Sequence, residues 1–263
     1  MVDTRILTQR LKSISEVPEY EARVIASKNL SNDKIDEVLI RRQKGEPLSK
    51  ILEEKGFYKY LFKTSVDVLD PRPDSETMIE SVLKYVPDTG EKITMLDIGT
   101  GSGCLLISCI MEYQNAIGTG LDKSEKALEI AQKNADVIVK NKNIYFIHQD
   151  IMLDNWSNDL GVFDVIVSNP PYIKTADIEM LDVAVKEYDP MLALDGGEDG
   201  LTAYRQLAKT LKPLTHEKTK IFFEIGQGQE NDVVDLMRQN GFKLLAMEKD
   251  LGGIIRILVF ERG

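Results

Sequence analysis

The sequence predicts an α/β fold: a mostly parallel sheet covered on both faces by helices, preceded by a small helical bundle. Three observations predict it. From residue 93 onward, short apolar runs alternate with stretches of helical period. The first of these runs ends in a glycine-rich turn, Gly99-Thr100-Gly101-Ser102-Gly103, set between a strand pattern and a helix pattern. Residues 1–55, by contrast, show helical spacing and no strand signal.

Taken in order, Leu7, Leu11 and Ile14 recur at helical spacing, and so do Ile35, Val38 and Leu39. Ser31 or Asn32 can cap the second of these helices and Gly45 can end it. Pro47 suits the first turn of a further short helix ending near Gly56. Residues 57–72 turn aromatic and β-branched and are then broken by Pro71 and Pro73, which reads as a β-hairpin and an extended linker. A helix over 75–85 follows. Strands are expected at 93–98, 116–121, 144–148, 163–168 and 220–225, with helices through about 113 and over 124–140. A helix over 230–240, closed by Gly241, leads to an antiparallel pair at 242–248 and 254–261. Seven strands result. The organisation is a helical domain over 1–56, a hairpin and linker over 57–74, and an α/β domain over 75–263.

Size and charge narrow the function classes. A chain of 263 residues, 43% hydrophobic and 29% charged, can bury a core without disulfide or metal staples. The net charge of −10 argues against nonspecific nucleic-acid binding, which needs clustered Lys and Arg. The first twenty residues lack the apolar core of a signal peptide, and the longest apolar run, 104–111, is too short to cross a bilayer. A cytoplasmic protein without membrane contact is expected. With two Cys and two His, no metal site is expected. Cys104 and Cys109 lie about 140° apart around a helix, so they read as small thiols in a reducing compartment.

The glycine turn carries chemistry. Its glycines let the backbone approach a ligand and turn tightly. A dinucleotide fingerprint would need its third glycine at Cys104, so the pattern here is G-x-G-x-G. That suits a nucleoside ligand without a pyrophosphate, such as S-adenosylmethionine. Asp122 closes the second strand, 23 residues after Gly99, where a carboxylate can accept hydrogen bonds from both ribose hydroxyls. The plainer alternative is a solvated acid ahead of a helix capped by Ser124. Asp150, after the third strand, can meet an adenine amino group or be a loop carboxylate. Trp156, the only tryptophan, can stack on adenine or cover the edge of the core.

The most specific signal is Asn169-Pro170-Pro171-Tyr172, after the fourth strand. Ligands of such sheets bind at this carboxyl edge. The prolines fix φ and remove two donors, leaving their carbonyls free of competing partners. The Asn169 side chain adds one more carbonyl. Two acceptors about 3 Å from one point match the two protons of an NH2 group. Tyr172 supplies an aromatic face to pack the plane that bears it. Such a site explains methylation of a poor nucleophile. Abolishing amide resonance would cost about 18–20 kcal/mol, whereas partial pyramidalisation guided by two acceptors costs far less and aims the lone pair at the methyl. A sulfonium is already a good leaving group, so no metal is required. Positioning can supply on the order of 7–11 kcal/mol.

With these residues in view, the chain resembles the HemK/PrmC family, the peptide chain release factor N5-glutamine methyltransferases. The resemblance covers nearly the whole chain. It is carried by Gly45-Glu46-Pro47-Leu48, by Asp67-Val68-Leu69 through Pro71-Arg72-Pro73-Asp74-Ser75-Glu76, and by Leu96-Asp97 with the glycine turn. It continues through Ser168 to Ile173, Glu187-Tyr188-Asp189-Pro190, Ala193-Leu194, Gly196-Gly197, Asp199-Gly200 and Phe223-Glu224-Ile225-Gly226.

The resemblance implies a class I, Rossmann-like S-adenosylmethionine-dependent methyltransferase fold with a helical domain that docks the release factor. It implies methyl transfer to the glutamine of that factor's Gly-Gly-Gln motif, with S-adenosylhomocysteine as product. Asn169, Pro170 and Tyr172 would hold the glutamine amide, with Pro171, Arg72 and Glu76 shaping the substrate side. Gly99, Thr100, Gly101, Ser102, Gly103, Asp122, Asp150 and Asn169 would serve the cofactor. Three positions depart from the pattern. Ile151 stands where the family often has an aromatic residue, so Ile151 or Trp156 would meet adenine. Asp70 replaces the usual apolar residue before Pro71. Lys59 replaces the usual glycine after Phe57-Tyr58.

A monomer acting on a protein substrate is expected, with no nucleic acid in contact. A related ribosomal protein glutamine methyltransferase is the nearest alternative, though its linker typically departs from the Pro-Arg-Pro segment kept here. A nucleic-acid N6-adenine methyltransferase can use the same tetrapeptide, but would need a basic channel and a target-recognition region. A noncatalytic adaptor would have no use for an intact Asn169 site.

Overall fold

The computed structural model describes residues 3–140 and 143–263. Four helices open the chain: α1 Thr4–Leu11, α2 Pro18–Ser27, α3 Asn32–Gln43 and α4 Leu48–Leu52. Asp3 caps α1 by accepting from Arg5 N at 2.8 Å, and Ser31 caps α3. Pro18 opens α2, a helix that the apolar spacing alone did not signal. Leu7, Leu11, Ala22, Ile25, Ile35 and Leu39 pack into the core of this bundle.

The hairpin pairs β1 Glu54–Phe57 with β2 Tyr60–Lys63. It starts three residues before the expected boundary. Glu53 ends α4 in the left-handed region, at φ 55°, so the chain turns straight into a strand and Gly56 lies inside it. Tyr58 also adopts a left-handed φ, 53°, at the hairpin turn.

A 3-10 turn, Pro73–Ser75, leads into α5 Glu76–Tyr85. Then come β3 Thr94–Ile98, α6 Cys104–Glu112, β4 Ile117–Asp122, α7 Glu125–Ile138, β5 Asn143–His148 and β6 Phe163–Ser168. The short helices α8 Val183–Lys186 and α9 Met191–Leu194 precede α10 Thr202–Thr210. The chain closes with β7 Thr215–Glu224, α11 Glu230–Gln239, β8 Phe242–Lys249 and β9 Ile255–Arg262. The sheet order is β5-β4-β3-β6-β7-β9-β8. The strands from β5 to β7 run parallel, and β9 is antiparallel to both β7 and β8.

Two elements of the α/β domain also differ from the sequence reading. The strand expected at 220–225 begins at Thr215. The helix α10 was not foreseen, although parallel neighbours such as β6 and β7 require a crossover element. Its nine residues are too few for a clear periodic signal, and glycines and a proline bracket them.

One core packs α10, α11 and Trp156 against one sheet face; the other packs α5, α6 and the hairpin residues Phe57 and Phe62 against the opposite face. Among the described residues, no helix is long and apolar enough to cross a membrane. The chain leaves β3 toward β4 on one side, while β6 pairs on the other. This is the topological switch point, where crevices open at the carboxyl ends of strands.

Candidate active site

Ile98 is in register with Ser168, so the glycine turn after β3 and Asn169 after β6 leave the sheet side by side. Between them opens a cavity of about 400 Å³, within the range of small-molecule sites. The turn is tied to the end of β4: Gly99 N and Thr100 N both donate to Leu121 O, at 2.9 and 2.8 Å. Gly99 and Gly101 have φ of 76° and 55°, and a Cβ on either would meet only open space. The backbone is therefore bare toward the cavity, as close approach to a ligand requires. Gly103 does something else. A Cβ there would press on Ile107 and Ala131 at 3.1 and 3.2 Å, so this glycine serves helix packing and does not line the cavity.

Asp122 lines the cavity and braces the turn. Its Oδ2 accepts from Gly101 N at 2.9 Å and its Oδ1 from Ser124 N at 2.8 Å. Burial pushes its carboxyl up, against the backbone donors of Ser124, Gly101 and Lys123. Each oxygen keeps a lone pair for a ligand hydroxyl. Asp150 lies on the rim. There burial is outweighed by Lys123, 2.8 Å away, and by Met152 N, which together hold the carboxyl below its ordinary value. Ile151 also lines the cavity.

Trp156 does not, which corrects one of its two sequence readings. It is 1% exposed in the core beneath α10, and its indole N–H donates to Thr210 Oγ1 at 2.9 Å. An indole satisfied inside an apolar core has no free face for adenine.

On the other strand, Asn169, Pro170 and Pro171 line the cavity. Asn169 Nδ2 donates to Ser75 Oγ at 3.4 Å. Among the described residues, no donor engages its Oδ1. Beneath lies Glu224, 2% exposed, with Oε2 unpartnered. Burial raises its carboxyl to about 7, opposed by the neighbouring Ser75, Arg256 and Asn169. Tyr172 falls outside the cavity wall. Its ring packs on the core and against Gly226, and its carbonyl accepts from Gln229 Nε2 at 3.0 Å. Burial pushes its hydroxyl up to about 12.

Arg72 reaches the cavity from the linker, whereas Glu76 turns away. The Glu76 carboxylate accepts from Tyr58 N at 2.9 Å, holding the strained hairpin turn instead of shaping a pocket mouth. Several residues that build the site were not singled out in the sequence. Asn134, 2% exposed on α7, accepts from Lys63 N at 2.6 Å and donates to Lys63 O and Ser102 O at 3.0 and 2.9 Å, tying the hairpin to the glycine turn. Ser75, Glu224 and Asp189 stood inside quoted motifs, but nothing local showed which way they face. The cavity lining is acidic: Asp67, Asp70, Asp122, Asp150 and Asp195 stand against Arg72 and Lys123.

Sheet order and site placement define a class I methyltransferase fold. A solved ribosomal protein L11 methylase from Lactobacillus delbrueckii subsp. bulgaricus matches 79% of this chain and 90% of its own, with a TM-score of 0.52 and 18% identity. Residues 73–196 match the family model described as methyltransferase small domain. The release factor glutamine methyltransferase of Rhodospirillum rubrum is 40% identical over 229 residues, which span 87% of this chain and 68% of that protein. Its counterpart in Caulobacter vibrioides is 35% identical over 262 residues, 98% and 88% of the two chains. The chain belongs to the release factor glutamine methyltransferase family.

Proposed function

We propose that this enzyme transfers the methyl group of S-adenosylmethionine to the side-chain amide nitrogen of the glutamine in the Gly-Gly-Gln motif of peptide chain release factors. The observation that carries the reading is the Asn169-Pro170 acceptor pair set beside a bare glycine turn at one switch point. The residues fit the cofactor. Open space before Gly99 and Gly101 admits a close ligand, Asp122 can take ribose hydroxyls, Asp150 and Ile151 flank the adenine side, and the acidic lining favours a cation. When bound, S-adenosylmethionine supplies an activated methyl on a sulfonium.

The chain's own residues do the rest. Asn169 Oδ1 and the Pro170 carbonyl accept the two amide protons and turn the nitrogen lone pair toward the methyl. With the cofactor held there, the amide nitrogen so aimed would take the methyl, the carbon–sulfur electron pair would stay with sulfur as a neutral thioether, and the one proton the amide loses would pass to solvent. Ser75 fixes the Asn169 amide by taking its N–H. Pro171 stiffens the turn, and Tyr172 backs it from the core. Arg72 meets the substrate backbone at the mouth. The helical domain, whose last helix ends at Leu52, docks the release factor, and the hairpin and linker from Glu54 onward join it to the catalytic domain over 75–263. The enzyme works as a cytoplasmic monomer, with no nucleic acid or membrane in contact.

The test is methyl transfer from labelled S-adenosylmethionine to a recombinant release factor. Label is expected on the wild-type factor and absent from a Gly-Gly-Ala variant. Label on a ribosomal protein, tRNA or DNA in place of the factor would contradict the reading.

A further inference from the structure

Lys50 belongs to the helical bundle, yet its side chain is 1% exposed and its ammonium lies against the back of the cavity wall. Nζ is 3.0 Å from Asp70 Oδ1 and 2.9 Å from Asp189 Oδ1. It also donates to Ser65 O at 2.8 Å and to Val68 O at 2.6 Å. Three protons thus serve four acceptors drawn from two separate segments, the linker and the turn before α9. Both segments line the cavity, through Asp67 to Arg72 and through Pro190, Leu192 and Ala193.

The charges alternate. Asp189 divides its oxygens, Oδ1 toward Lys50 and Oδ2 toward Arg72 Nη2 at 2.5 Å. The Ser49 hydroxyl donates to the other Asp70 oxygen, Oδ2, the Thr64 hydroxyl donates at 2.6 Å to the same Oδ1 that faces Lys50, and the Asp70 backbone N–H donates to Asp189 Oδ1 at 3.3 Å. Two cations balance two carboxylates, which satisfies the demand that buried charges be paired. This also accounts for Asp70 where an apolar residue is usual: it is the counter-ion that a buried Lys50 needs.

We propose that Lys50 is a positioning residue for methyl transfer: it pins the linker wall to the turn before α9 and, through Asp189, sets the Arg72 guanidinium at the cavity mouth. The inference rests on the reading of Arg72 as a substrate contact. Without Lys50, Asp70 and Asp189 share the single positive charge of Arg72, and Asp189 Oδ1 keeps only the 3.3 Å bond from the Asp70 backbone N–H.

A double-mutant cycle tests it, using full-length enzyme, release factor and S-adenosylmethionine. Arg72→Gln should lower kcat/KM about tenfold in the wild-type background but less than about threefold in Lys50→Met. The Lys50→Met loss should fall on KM for the release factor, with cofactor affinity by calorimetry within about threefold of wild type. Additive losses overturn the proposal. If Lys50→Met does not fold, the charge-balanced Lys50→Met/Asp70→Asn enzyme takes its place with the same expectations. Independently, amide hydrogen exchange over 65–72 and 189–193 in the cofactor-bound Lys50 variant should quicken about tenfold, and unchanged exchange there overturns the proposal. Wild-type enzyme that leaves the release factor unmethylated would contradict the functional reading alone, since the exchange measurement still decides the role of Lys50.

Discussion

Asn169 has one job that no neighbour shares, because its Oδ1 is the side-chain carbonyl that the tetrapeptide brings to the cavity wall, where the Tyr172 side chain does not reach. Asn169→Ala should lower kcat on the release factor by about 100-fold, the scale seen when one preorganised polar contact is removed, and change S-adenosylmethionine affinity by calorimetry by no more than about threefold. Retained turnover would remove the two-acceptor mechanism. Trp156 makes the opposite prediction. Its indole is spent on Thr210 within the core, so Trp156→Phe should cost about 1–3 kcal/mol of stability in urea denaturation. Cofactor affinity should not change, and a weakened affinity would restore a stacking role. At this scale the sequence was informative where chemistry is local. Gly99, Gly101, Asp122 and Asn169 announce themselves by type and by place after a strand. It was silent where a role depends on direction. Glu76 and Arg72 share one short segment, yet one faces the hairpin and the other the cavity. No spacing rule separates them.

The strands and helices of the α/β region were legible because buried parallel strands read as apolar runs and the helices between them carry an amphipathic period. Limits came where elements are short. The helix α10 was hidden between glycines, and the hairpin boundary slipped because Glu53 reverses the chain through a left-handed φ that sequence does not advertise. How elements are fastened was not legible at all. Asn134 looks like one more polar residue on α7, yet it closes three hydrogen bonds that join β2, α7 and the glycine turn. Asn134→Ala should therefore destabilise the enzyme by about 3 kcal/mol, since it strands buried backbone groups. Urea unfolding with an unchanged m-value checks this, and a loss below about 1 kcal/mol would show that these bonds are readily replaced by water.

Across the whole molecule, the fold holds two carboxyl groups under the site at a cost that depends on pH. Burial raises both Asp97 and Glu224 to about 7, in Asp97 against the Thr100 hydroxyl. Between the ordinary value of 4.5 and about 7, folded Glu224 keeps a proton that the unfolded chain releases. The contribution of Glu224 to stability therefore falls as pH rises through that window and levels off above it. Glu224→Gln should gain Tm relative to wild type progressively across this range, and a difference that stays constant with pH would refute the raised carboxyl. The net charge of −10 fits the same picture: the cavity lining is acidic, suited to a sulfonium, and the chemistry calls for a neutral amide and no phosphate contact. The central claim is that Asn169 and Pro170 direct one methyl to a glutamine amide. Tandem mass spectrometry of a release factor after incubation with enzyme and S-adenosylmethionine tests it most directly. The account predicts a single added methyl on the side-chain nitrogen of the Gly-Gly-Gln glutamine, added about 100-fold more slowly by Asn169→Ala. A methyl on any other residue, or an unmodified factor beside methylated nucleic acid, would contradict it.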